Sequence, residues 1–292
     1  MLPAVAALAV LALGRAVYPR WLERRQRHRR PLSKDGVVRG AEAIDFARPD
    51  APALLLLHGG GDTPQVMASL ARHLYDRGYA VRVPLLSGHG RGLDALTSAS
   101  ADTWHDEVDR EYRRLREHHG WVGVIGLSMG GALAVTLAAE QGTVDALVLL
   151  APYLDMPPAV RQLADSSSYW GWLVPYFPSL GGNSIHDADA AARTLGHGIL
   201  TPTMLRALRD VAIDATVALP RVKAPTLILQ SREDNRIAPE VAERGFARLG
   251  AREKKFVWTN GAGHVISVDF GHQRVFNLTT DWLEAHRPTS RR

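Results

Sequence analysis

Apolar positions along the chain follow two rhythms. Short unbroken runs, such as ALLLL at 53–57, alternate with longer stretches in which apolar residues recur every three or four positions. An unbroken run marks a strand buried on both faces, and the wider spacing marks a helix with one buried face. The pattern predicts strands at 53–57, 79–83, 121–126, 145–152, 225–231 and 255–260. It predicts helices at Pro64–Arg77, at 101–120 (where Trp104, Val108, Tyr112 and Leu115 share a face), at 129–141, at Thr203–Leu219 and at Gln273–His286. This alternation implies an α/β fold, a mostly parallel sheet with helices on both faces. Ligands in such sheets bind beyond the carboxyl ends of the strands.

Two regions break the rhythm. Residues 152–220 are too long for a bare loop between strands. They read as an inserted cap, rich in aromatics (Tyr169, Trp170, Trp172, Tyr176, Phe177), which either line an acyl pocket or form the cap's own small core. Residues 1–36 form an apolar and basic segment. They open with the apolar run MLPAVAALAVLALG, followed by eight Lys/Arg against Glu23 and Asp35. The run is shorter than the roughly 20 residues a spanning helix needs, and it lacks the basic start of a signal peptide. A basic cluster after an apolar run suggests association with an anionic membrane on the cytoplasmic side. The plainer alternatives are a disordered tail, in a cytoplasmic protein, or a start placed too early. The core is then expected at 37–151 and 221–292.

That first segment carries +6, more than the net charge of +5, so the rest of the chain is close to neutral at about −1. No basic face points to nucleic acid. There is no cysteine, which excludes disulfides and thiolate metal sites.

Chemistry concentrates in the loops after strands. Gly126-Leu127-Ser128-Met129-Gly130 fits G-x-S-x-G at a predicted strand-to-helix turn, the context that presents a serine as a nucleophile. The plainer reading is a glycine turn that packs helix on strand. A serine hydroxyl needs a base to take its proton. His264, in GAGHVIS after a late strand, is placed for this; the alternative is a solvated loop histidine. An acid must then fix the imidazole. The loop after 225–231 offers Asp234, with Glu233 as the fallback. Oxyanion donors are expected from the Met129 N–H and from the glycine turn HGGGD, at Gly60 or alternatively Gly61. His89 suits a structural turn better than a second base. His105, His118 and His119 lack metal-ligand spacing. Asp62 borders the expected site without a defined role.

Over about residues 37–286 the chain resembles the α/β-hydrolases of the carboxylesterase and monoacylglycerol lipase branch, also grouped with serine aminopeptidase-like hydrolases. The resemblance lies in LLLHGGGDTP, RGYAVRVPLLSGHGRG, GLSMGG, VKAPTLILQSREDNRIAP and GAGH. It implies Ser128, Asp234 and His264 as the triad and Gly60 as the first oxyanion donor, and it matches the family's Gly-His-Gly turn at Gly88-His89-Gly90 and its tryptophan in the next helical stretch at Trp104. The family often has a bulky residue where Gly60 stands. The expected activity is hydrolysis of a small-molecule carboxylic ester with an apolar acyl chain, such as a monoacylglycerol or lysophospholipid, without cofactor or metal. Acyl transfer, peptide cleavage or perhydrolysis on the same triad is the alternative, as is a silent membrane-tethered binding protein. The oligomeric state is not readable.

Overall fold

In chain order the computed structural model, which describes residues 2–179 and 184–288, runs α1 (Leu2–Arg29), β1 (Ile44–Phe46), β2 (Ala53–Leu57), α2 (Ala68–Asp76), β3 (Ala80–Val83), α3 (Ala101–His118), β4 (Val122–Leu127), α4 (Met129–Gln141) and β5 (Ala146–Leu150). It continues through α5 (Pro158–Asp165), α6 (Ser167–Trp170), β6 (Phe177–Pro178), α7 (Ala188–Arg193), β7 (Ile199–Leu200), α8 (Pro202–Ala218), β8 (Thr226–Ser231), α9 (Pro239–Arg248), β9 (Lys254–Thr259) and α10 (His272–His286). Met1, residues 180–183 of the expected cap and residues 289–292 of the expected core lie outside the described residues.

The main sheet has the order β1-β3-β2-β4-β5-β8-β9. All its pairings are parallel except β1 with β3. Strands β2, β4, β5 and β8 are buried along their whole length, which accounts for their unbroken apolar runs. Alternate residues feed two cores. Leu55, Leu57, Val124, Leu147, Leu149 and Ile228 meet Trp104, Val108, α4 and α8 on one face. Leu54, Leu56, Ile125, Val148, Leu150 and Leu229 meet Leu70, Leu74, Val275 and Phe276 on the other. This is the predicted α/β architecture, covered on both sides. The antiparallel edge strand β1, only three residues long, was not anticipated; short edge strands carry little pattern.

Two expectations change. The span 152–220 is not wholly a cap. Met204, Ala207, Val211, Ala215 and Ala218 of α8 lie in the larger core, so α8 is a sheet-covering helix that packs on α4. The part that can lie over the carboxyl edge ends before it. The basic part of the N-terminal segment does not stand apart from the body: most of it belongs to α1, whose Leu22 enters the larger core and whose Gln26 is buried. Gln26 Nε2 donates to His197 O (3.3 Å) and Arg30 Nη2 to Thr194 O (3.4 Å). No helix among the described residues is long and apolar enough to cross a membrane.

Candidate active site

A tight turn joins β4 to α4. Ser128 there has φ 53° and ψ −117°, a conformation an L-residue adopts at a cost of about 1–3 kcal/mol. Three hydrogen bonds hold it: Ser128 N to Leu150 O (2.9 Å), Tyr153 N to Ser128 O (3.0 Å) and Ala132 N to Ser128 O (3.1 Å). The flanking glycines follow from the close approach of α4. A Cβ at Gly126 would collide with the backbone of Gly130, and one at Gly130 with the carbonyls of Leu57 and His58. The motif therefore exists to bring a helix N-terminus against two strands while lifting one hydroxyl above them.

That hydroxyl meets two other loops. His264 Nε2 lies 2.8 Å from Ser128 Oγ, and His264 Nδ1 lies 2.8 Å from Asp234 Oδ2. All three side chains are buried. Asp234 is held from four directions: Oδ2 also accepts from Gln230 Nε2 (2.8 Å), and Oδ1 accepts from the N–H groups of Arg236 (2.8 Å) and Ile237 (2.9 Å). Burial opposes ionisation of Asp234. The facing His264 and these N–H donors outweigh it and hold its pKa below the ordinary carboxylate value. Glu233, the fallback acid, points elsewhere and accepts from Gly261 N (2.8 Å). Gln230, four residues before Asp234 and next to last in β8, is not singled out by the sequence pattern; a polar residue at a strand's end is its only signal.

The glycine turn after β2 lies beside the start of α4: a Cβ on Gly60 would sit 3.6 Å from Met129 Cβ. Gly61 has φ +81°, where only glycine is unstrained. His58 clasps this turn to the chain after β3. Its Nδ1–H donates to Gly59 O (2.9 Å), and its Nε2 accepts from Leu86 N (3.2 Å). Burial lowers the pKa of His58 to about 3 and that of its neighbour His89 to about 4. His89 packs against Trp104 and is a turn residue rather than a base.

A cavity of about 310 Å³ opens over Ser128 and His264. Gly60, Gly61, Asp62 and Arg236 give it one polar wall; Tyr153, Val160, Ile199, Leu200, Leu205 and Leu208 give it an apolar one. None of the five cap aromatics lines it. Trp170 and Phe177 pack edge to face in a small core beside it, Tyr176 packs on the larger core, and Tyr169 and Trp172 are exposed. The apolar lining comes instead from Tyr153 and from residues of α5, β7 and α8, which the sequence pattern did not single out. Asp62 stands at the polar wall, and burial raises its pKa to about 6, against the pull of His264 and Arg236.

Two outcomes follow from this geometry. Asp234→Asn should lower kcat by about 10⁴-fold, because the imidazole loses its tautomer control, while Glu233→Gln leaves kcat near wild type; steady-state ester kinetics check both. Asp62 binds its proton more tightly folded than unfolded, so folding stability falls as pH rises from 3.8 through about 6. Asp62→Asn should therefore melt higher than wild type at pH 8, with the gain shrinking as pH falls through 6. Equal melting temperatures across that range would refute the assignment.

Comparison with known proteins agrees with the geometry. A family model described as "Serine aminopeptidase, S33" matches residues 48–270. The chain is 27% identical over 250 residues to a thermostable monoacylglycerol lipase of Bacillus sp. (strain H-257), covering 86% of this chain and 97% of the relative. It is 25% identical over 236 residues to a carboxylesterase of Bacillus subtilis (strain 168), covering 80% and 92%. Among solved structures, one reported with the metagenome-derived lipolytic enzymes LipS and LipT superposes with a TM-score of 0.78 at 27% identity, covering 86% of this chain and all of that one. The seven-stranded sheet, the Ser128 elbow and a family match running from the approach to β2 to the threshold of α10 have one reading: the chain belongs to the serine aminopeptidase S33 family of α/β-hydrolases.

Proposed function

We propose that this site hydrolyses carboxylic esters through an acyl-enzyme. The observation that carries the reading is the unbroken line from Ser128 Oγ through the His264 ring to Asp234 Oδ2, with both contacts at 2.8 Å on the floor of a cavity. Ser128 Oγ attacks the ester carbonyl as His264 Nε2 takes its proton. Asp234 keeps the other ring proton on Nδ1 and stabilises the imidazolium. The N–H groups of Gly60 and Met129 hold the oxyanion, each donor supplying roughly 3–4 kcal/mol of barrier lowering. His264 then protonates the departing alcohol, and a water activated by the same ring releases the acid. Every step uses side chains and backbone alone.

The substrate is an ester with an apolar acyl chain, of the monoacylglycerol or lysophospholipid kind. The apolar wall of the cavity supports this, as do the printed names of the relatives, a monoacylglycerol lipase and a carboxylesterase. The segment from 152 to the start of α8 serves as the cap. The protein sits peripherally on the cytoplasmic face of an anionic membrane. Here the support is the free face of α1, where exposed Val17, Tyr18 and Trp21 stand among exposed Arg20, Arg24 and Arg25, opposite the docked Leu22 and Gln26.

Hydrolysis of p-nitrophenyl esters of increasing chain length should depend wholly on Ser128, vanish in Ser128→Ala, and peak at medium to long chains. A short-chain optimum would remove the lipid substrate; activity that survives in Ser128→Ala would remove the mechanism. In flotation assays the protein should rise with vesicles of phosphatidylcholine and phosphatidylglycerol but not with phosphatidylcholine alone. Binding should weaken with salt and in Trp21→Ala/Arg24→Ala/Arg25→Ala. Protein that stays at the bottom of both gradients would sink the membrane reading.

A further inference from the structure

Asp269 has no part in the chemistry described above, yet it is among the most completely held groups in the protein. It is 0% exposed. Its carboxylate accepts four backbone N–H groups from two separate segments. Oδ2 accepts from His186 (2.8 Å) and Gly263 (2.7 Å); Oδ1 accepts from Asp187 (2.8 Å) and Phe270 (2.8 Å). A buried carboxylate is costly unless each lone pair is matched, and here two N–H donors on each oxygen do so. They hold its pKa below the ordinary value despite burial.

The two segments are the ones that meet at the site. Gly263 directly precedes His264. His186 and Asp187 belong to the cap segment, two and three residues beyond Ser184, which lines the cavity. The join is reinforced by His264 N and Val265 N, which donate to Ser184 O (2.9 and 3.2 Å), and by His186 Nδ1, which lies 3.1 Å from Gly261 O. The loop that carries His264 is thus bonded along its length to the cap, with one carboxylate at the centre of the join.

We propose that Asp269 is a positioning residue for the reaction: it clamps the His264 loop to the cap segment 184–187 and so sets the reach of His264 Nε2 to Ser128. This rests on the ester-hydrolase reading. The imidazole has little freedom to find Ser128 otherwise, because a displacement of about 1 Å in a reacting group can cost on the order of a hundredfold in rate.

The test uses the full chain with two variants, each assayed well below its own melting temperature. Asp269→Asn keeps the size but turns one acceptor into a donor, which orphans two of the four N–H groups. Gly263→Ala leaves Asp269 intact but puts a Cβ 2.7 Å from Ser184 O, prying the same two segments apart. Each variant should lose about tenfold to a hundredfold in kcat. KM should stay near wild type, and fluorophosphonate labelling of Ser128 should slow in proportion. A purely structural role would lower the melting temperature and leave kcat and labelling of the folded protein unchanged. That result in either folded variant overturns the proposal. Absence of Ser128-dependent activity in the wild type is a different failure, that of the ester-hydrolase reading.

Discussion

Everything in this protein is arranged around one strained residue. Ser128 sits where β4 must turn into α4 with almost no loop, and the turn closes only because Gly126 and Gly130 let backbone touch backbone. The strain is local, but the restraint is not. Ser128 is tied to Leu150 at the end of β5 and to Tyr153 beyond it. Its hydroxyl therefore has a fixed height above the central strands. Loops reaching it from β2, β8 and β9 need only be built to the right length.

The parallel sheet makes those lengths predictable. Adjacent strands in one direction end at the same edge, so residues far apart in the chain share a rim. Ser128 and His264 are 136 positions apart in sequence yet within hydrogen-bonding distance. Asp234 follows β8 and His264 follows β9, and these strands pair in register from Thr226 with Lys254 to Ser231 with Thr259. Asp234 and His264 thus ride on one rigid pair of strands. Ser231 Oγ at the end of β8 adds a tie to Ala262 O in the loop after β9.

Most of the framework, and the meeting of Ser128, Asp234 and His264, were readable from the sequence because both are written locally. Strands buried on both faces show as unbroken apolar runs, and the elbow shows as glycines around a serine. Asp234 and His264 show by their place after late strands. What was missed is written in tertiary contacts. Of the two roles open to the cap aromatics, the small core holds for Trp170 and Phe177 alone, while Tyr176 packs on the larger core and Tyr169 and Trp172 are exposed, because a list of ring side chains does not say which way a short helix turns. The helix α8 looked like part of an insertion because nothing in its own spacing announces that α4 will cover it. Asp269 looks like any acid after a histidine loop; only the four N–H groups that converge on it mark it out.

The clasp at His58 has a consequence for how the protein meets acid. His58 and His89 are buried neutral, with pKa values near 3 and 4 against 6.5 in an open chain. Between those limits the unfolded chain takes up protons that the folded one refuses, so stability rises with pH across that window and falls on acidification. Each imidazole contributes a slope of up to about 1.4 kcal/mol per pH unit. The pair beside the glycine turn is therefore a built-in acid fuse. Above those values both rings stay neutral and the hydrogen bonds of His58 to Gly59 and Leu86 are kept. When acid finally wins, the turn opens together with the core around it.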